Sequence, residues 1–252
     1  MSRRGRRRAA VMLGAIAAAG WCDAALAYRP FDGTDAAVAD PGFVEIELGP
    51  AQYVEVGPDR TLVAPALVLN YGLADRWEIV LQGNLAKGLA EDAPTAALFG
   101  TALLLKGVLR DGGLQDKPGP SIAAEFGFLL PDINNGQSGV GWSTAAIVSQ
   151  RWSALTVHFN AEVALTRRQN ADLAFSTIVE GPRDWPVRPV AELFYEREFR
   201  GSETGSALVG AIWQVRDNVA FDIGLRGGWV DGQPLKEVRA GLTFGFGVGP
   251  RR

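Results

Sequence analysis

The sequence predicts an all-β protein, an antiparallel up-and-down transmembrane barrel of about twelve strands. Three observations carry this expectation. Segments with near-perfect two-residue alternation recur along the chain, the N-terminus has the layout of an export signal, and short and long connections roughly alternate between the strands.

The N-terminus comes first. Arg3, Arg4, Arg6, Arg7 and Arg8 form a basic region, followed by an apolar stretch from Ala9 to Gly20 that is too short to span a bilayer well. Ala25-Leu26-Ala27 supplies small residues where a signal peptidase reads, so residues 1–27 are expected to be a signal peptide and residues 28–252 the barrel domain. Trp21 before Cys22 argues against lipid modification of that cysteine. Cleavage before Tyr28 removes the only cysteine and with it disulfide and thiolate chemistry. It also takes five arginines and Asp23 from totals of 25 basic and 28 acidic residues, leaving 20 against 27, a net charge near −7. An acidic exported chain is a poor partner for nucleic acid. No later run of eighteen apolar residues follows, so the choice lies between a soluble periplasmic β-protein and a membrane barrel.

Successive side chains of a strand point to opposite faces. Val219, Phe221, Ile223, Leu225 and Trp229 share one parity, with Ala220, Asp222, Gly224 and Arg226 on the other. Val238, Ala240, Leu242, Phe244 and Phe246 alternate with Arg239, Gly241, Thr243 and Gly245. From Leu155 to Thr166, an apolar row containing Val157, Phe159 and Val163 alternates with one containing His158, Asn160 and Glu162. Shorter alternations cover Val44 to Leu48, Trp77 to Gln82, Ile122 to Leu130 and Val187 to Tyr195. Less regular apolar segments near 61–71, 96–109, 140–150, 171–180 and 206–214 complete the set. Each is near the length that a tilted strand needs to cross a bilayer.

Gly72-Leu73-Ala74-Asp75, Arg151-Trp152-Ser153-Ala154 and Arg216-Asp217-Asn218 read as short turns. Pro131 to Gly139, Arg200 to Gly205 and Val230 to Lys236 read as longer connections, and Arg110 to Pro120 is long where the alternation calls for a short turn. Tyr71, Trp77, Trp142, Trp213, Trp229 and Phe246 lie at strand ends, as interfacial girdles require.

Two stretches resemble bacterial outer-membrane barrels. Asn70-Tyr71-Gly72-Leu73-Ala74-Asp75-Arg76-Trp77-Glu78 is similar to a recurring turn of such proteins, and Gln214 to Arg226 followed by Ala240 to Phe246 is similar to their closing hairpin. The pattern resembles the transporter barrels named for the meta-cleavage pathway of phenol degradation. That resemblance implies an outer-membrane location, insertion by the barrel-assembly machinery, contact with outer-membrane lipid, and passage of small, including aromatic, solutes. One departure is that Phe246 is followed by six further residues, where many barrels end on an aromatic.

The face opposite the apolar stripe supplies the candidate pore-lining residues: Glu45, Glu47, Glu78, Lys106, Glu125, His158, Glu162, Arg188, Glu192, Asp222, Arg226 and Arg239. The glutamates fall mainly in the first half and the arginines in the last third, which suggests either a transverse field across an open pore or mutual pairing in a filled one. No enzyme is expected. His158 is the chain's single histidine, and Ser143 and Ser149 on the preceding strand are its nearest candidate serines. No cofactor or metal site is expected, since Asp132-Ile133-Asn134-Asn135-Gly136 lacks the further ligands of a calcium loop and no phosphate-binding fingerprint occurs. The functional expectation is a passive channel or transporter for small solutes. The alternatives are a non-conducting structural or adhesion barrel working through its outer loops, and a soluble periplasmic β-protein.

Overall fold

The computed structural model describes residues 29–90, 96–134 and 137–248. The expected signal peptide, residues 1–27, lies outside the described residues. Twelve strands form in chain order: β1 (Phe43–Val56), β2 (Asp59–Ala74), β3 (Trp77–Gly88), β4 (Ala97–Arg110), β5 (Ser121–Leu129), β6 (Gly141–Arg151), β7 (Thr156–Leu165), β8 (Ala171–Glu180), β9 (Val187–Glu198), β10 (Glu203–Arg216), β11 (Val219–Val230) and β12 (Gln233–Gly247). Each pairs antiparallel with its neighbour in sequence, and β1 pairs with β12 from Val44↔Phe246 to Val56↔Leu235, closing the barrel. Closure leaves no strand edge exposed, which is the condition for a sheet in lipid.

The barrel is turned inside out relative to a soluble protein. Phe126, Phe128, Leu193, Val209, Ile223 and Leu225 are half or more exposed on the outer face. Their strand neighbours Glu192, Asp222 and Arg226 are buried inside. A soluble sandwich with the same alternation would place its apolar parity in the core and its charges in water. Here the large side chains form a continuous outer belt, far larger than the patches soluble monomers tolerate. Trp77, Trp142, Trp213, Trp229 and Phe246 stand exposed near its rims.

We term the end bearing Phe43 and Gly247 the near end and the other the far end. Far-end connections span 57–58, 89–96, 130–140, 166–170, 199–202 and 231–232. Two long connections expected there are shorter than the sequence suggested. Asp231 and Gly232 both take the left-handed backbone (φ 49° and 76°), the geometry of a two-residue hairpin, so pairing runs on to Val230↔Gln233. Likewise β10 begins at Glu203, inside the stretch read as a loop. The wall is least regular in β1–β4. Register slips fall between Leu48 and Ala51, Val63 and Ala66, and Gln82 and Asn84. Pro50 and Pro65 sit inside the first two, where the missing N–H removes a ladder bond.

Residues 29–42, between the expected cleavage site and β1, do not lie outside the barrel. They run through it as an irregular strap.

Candidate functional site

An irregular segment inside a barrel must find partners for its backbone groups, since it has no ladder of its own. Polar residues on the inner face provide them. From β12, Arg239 donates to the Pro30 carbonyl (2.9 Å) and to Asp32 (3.0 Å), and Arg226 of β11 ion-pairs with the same carboxylate. Glu192 of β9 accepts from the Asp32 and Gly33 amides at 3.0 and 2.8 Å. Asn160 of β7 takes the Thr34 amide (3.1 Å) and donates to the Thr34 carbonyl (2.9 Å). Ser149 of β6 accepts from the Ala36 amide at 2.9 Å, and Glu78 of β3 from the Ala39 amide at 2.7 Å. The strap thus crosses from one wall to the other before turning into β1.

Apolar contacts fix it at two points. Phe31 is buried against Ile178, Val190, Leu208 and Ile212, inward-facing residues that form its seat. Ala36 packs on Ala123 and Ile147, with Leu114 alongside. Leu114 belongs to the long near-end connection 111–120, and Gln115 there donates to the Ala36 carbonyl at 3.1 Å. The connection that breaks the short-turn pattern folds over the strap. Asp111 ties it to the neighbouring turn through Arg76 (2.7 Å), and its hydrogen bond from Lys117 holds its carboxyl below the ordinary range.

The structure places all twelve sequence-derived candidates on the inner face, and the strap sorts them. Glu78, Glu192, Arg226 and Arg239 hold it directly. Lys106 reaches Thr34 at 3.2 Å and ion-pairs with Asp35 and Glu78 at 3.4 Å each. Asp222 meets Arg29 at 3.6 Å. Arg188 pairs with Glu180 at 3.3 Å. The arginine wall is therefore neutralised by Asp32, Glu192, Glu237 and Glu180. Of the two arrangements the sequence allowed, mutual pairing holds on this side.

His158 shares a hydrogen-bonded chain with Ser149 (2.7 Å from Nδ1) and Glu180 (3.1 Å from Nε2). Ser149 also accepts from the Ala36 amide, so the strap, the serine, the histidine and Glu180 form one connected network. Ser149 and His158 are almost wholly buried beneath the strap. The chain positions Ala36 and gives no substrate access to the serine. Asp32, Asp35, Glu180 and Glu237 join the twelve candidates as charged residues of the strap and lumen. For Glu237 the sequence carries a signal, since it shares the parity of Arg239.

The strap divides the interior. On its near side lies a vestibule of about 350 Å³ lined by Arg29, Arg76, Arg151, Arg183 and Arg188 together with several carboxylates. On the other side lies an inner chamber of about 240 Å³, lined by Glu45, Glu47, Glu78, Glu125 and Glu162, by Lys106, and by Val68, Val80, Leu104 and Leu129.

This architecture has solved counterparts. The COG4313 outer membrane channel from Pseudomonas putida F1 superimposes with a TM-score of 0.63 at 11% identity, covering 86% of this chain and 100% of that one. The NanC porin (TM-score 0.56, 7% identity, 80% and 98% coverage) and the KdgM porin (0.54, 12%, 80% and 99%) also match. Structurally, the chain is similar to outer-membrane barrel channels. No protein-family model and no curated protein matches it.

Proposed function

We propose that the protein is a passive outer-membrane channel for small solutes, with the strap of residues 29–42 setting its constriction. The observation that carries this reading is a closed barrel with an apolar outer face and a polar interior holding two cavities on either side of one internal segment. Three solved barrels, an outer-membrane channel and two porins, share the fold. The sequence resemblance to the phenol-pathway transporter barrels supports small solutes, aromatic ones included. An inner chamber of about 240 Å³ suits one such molecule, being just below the usual range of ligand pockets. Far-end connections of two to eleven residues leave little surface for adhesion. We assign no catalytic role, since the Ser149–His158–Glu180 chain is spent on the strap.

The test is reconstitution in planar bilayers and in liposomes. Small discrete current steps and uptake of low-mass solutes are expected from the wild-type protein, with larger steps once residues 30–40 are deleted. A deletion variant that folds, inserts and passes no current contradicts the channel reading.

A further inference from the structure

The inner chamber contains an acidic side chain that the strap does not use. Glu45, on the inner face of β1, is 2% exposed and lines the chamber. Among the described residues it has no hydrogen-bond or ion-pair partner. Burying an ionised carboxylate without a partner is among the most expensive arrangements a protein can hold. The cation nearest in the chamber is committed elsewhere, because Lys106 is shared by Thr34, Asp35 and Glu78. Of the seven carboxylates lining the cavity, Asp32 is paired with Arg226 and Arg239, and the other six share that single lysine. An anionic solute is therefore repelled. A metal ion is poorly served too: among the described residues no three acidic, histidine or cysteine side chains come together to hold one.

The chamber is not uniformly polar. Val80, Ala102 and Leu104 form a buried apolar cluster with Val68 and Leu129 beside it. Four of these five line the same cavity as Glu45. The register sets the spacing across the wall: Glu45 faces Asn70 on β2, Asn70 faces Val80 on β3, and Val80 faces Leu104 on β4. A carboxylate at one side and an aliphatic patch two strands away form a two-part site.

We propose that this chamber binds a small organic cation, its ammonium group on Glu45 and its apolar body on the Val80–Leu104 patch. The site is a binding site in its own right, and its purpose, selection of solute, rests on the channel reading.

The test uses the purified full-length barrel in detergent micelles, titrated calorimetrically with n-butylammonium, n-butanol and butyrate at one ionic strength. Wild-type protein is expected to bind n-butylammonium, with n-butanol and butyrate at least tenfold weaker. Glu45→Gln is expected to weaken n-butylammonium at least tenfold, while Glu45→Asp retains it within a few-fold. Leu104→Lys places a tethered ammonium in the chamber and abolishes binding. If Glu45→Gln does not assemble into a heat-modifiable barrel, Leu104→Lys decides the matter by itself. Equal binding of n-butanol and n-butylammonium overturns the proposal, because Glu45 then holds a proton and the chamber reads only apolar bulk. Undiminished n-butylammonium binding in either Glu45→Gln or Leu104→Lys overturns it as well. Bilayer currents report on the channel separately. A barrel that binds n-butylammonium but never conducts keeps this site and loses the channel reading, and one that conducts without binding does the reverse.

Discussion

The β9–β12 wall and the β1–β5 wall differ in how completely they pair their buried charge. On the first, Arg226 and Arg239 are buried, and each meets carboxylates from the wall and from Asp32 of the strap. On the second, Glu45 is equally buried and meets no partner among the described residues. One wall uses its charge to hold a segment of the chain itself. The other also holds the strap, through Glu78 and Lys106, but leaves Glu45 facing the chamber. A paired buried charge does structural work that is lost when either partner is removed, whereas an unpaired buried carboxyl contributes no stability.

One deletion and three substitutions break or sharpen this comparison. The largest effect is expected from deleting residues 30–40, which should raise single-channel conductance several-fold in planar bilayers. Next comes Arg226→Ala, which leaves Glu192 without its arginine and Asp32 and Glu237 with Arg239 alone, and should destabilise the folded barrel by about 3–5 kcal/mol. Urea unfolding in lipid vesicles measures this. Ser149→Ala removes the acceptor for the Ala36 amide and should cost about 1–2 kcal/mol in the same assay. The smallest effect belongs to Glu45→Gln. Its stability should fall within about 0.5 kcal/mol of wild type or exceed it, since no native partner is lost. If Glu45→Gln destabilises as much as Arg226→Ala, the two walls are alike and the contrast fails.

Much of the barrel was legible in the sequence because alternation reports directly on a wall with lipid on one side and polar groups on the other. Even β8, with its loose alternation in Ala171–Glu180, falls on the less regular apolar segment expected near 171–180. The Asp231–Gly232 hairpin was obscured because the residues that follow it, Gln233 and Lys236 among them, are polar yet belong to strand β12. The strap was not legible. Residues 29–42 carry neither strand nor helix periodicity, and their structure comes entirely from side chains far along the chain, such as Glu192 and Asn160. Its seat was hidden for a related reason. Ile178, Leu208 and Ile212 are apolar on the inward parity and blur the alternation of their strands, and that blurring marks where Phe31 docks.

That the strap lies across the interior against the walls is tested most directly with cysteines placed at Gly33 and Ser176, since a side chain at Gly33 abuts the Ser176 hydroxyl oxygen. In a chain expected to carry no cysteine after cleavage, Gly33→Cys with Ser176→Cys should form a disulfide on mild oxidation, seen as loss of both free thiols in the folded barrel. Conductance should then be locked at its low value and stay there until the bond is reduced. Two thiols that remain free, and label readily with a membrane-impermeant maleimide while the barrel is folded, would contradict the account and place the segment outside the lumen.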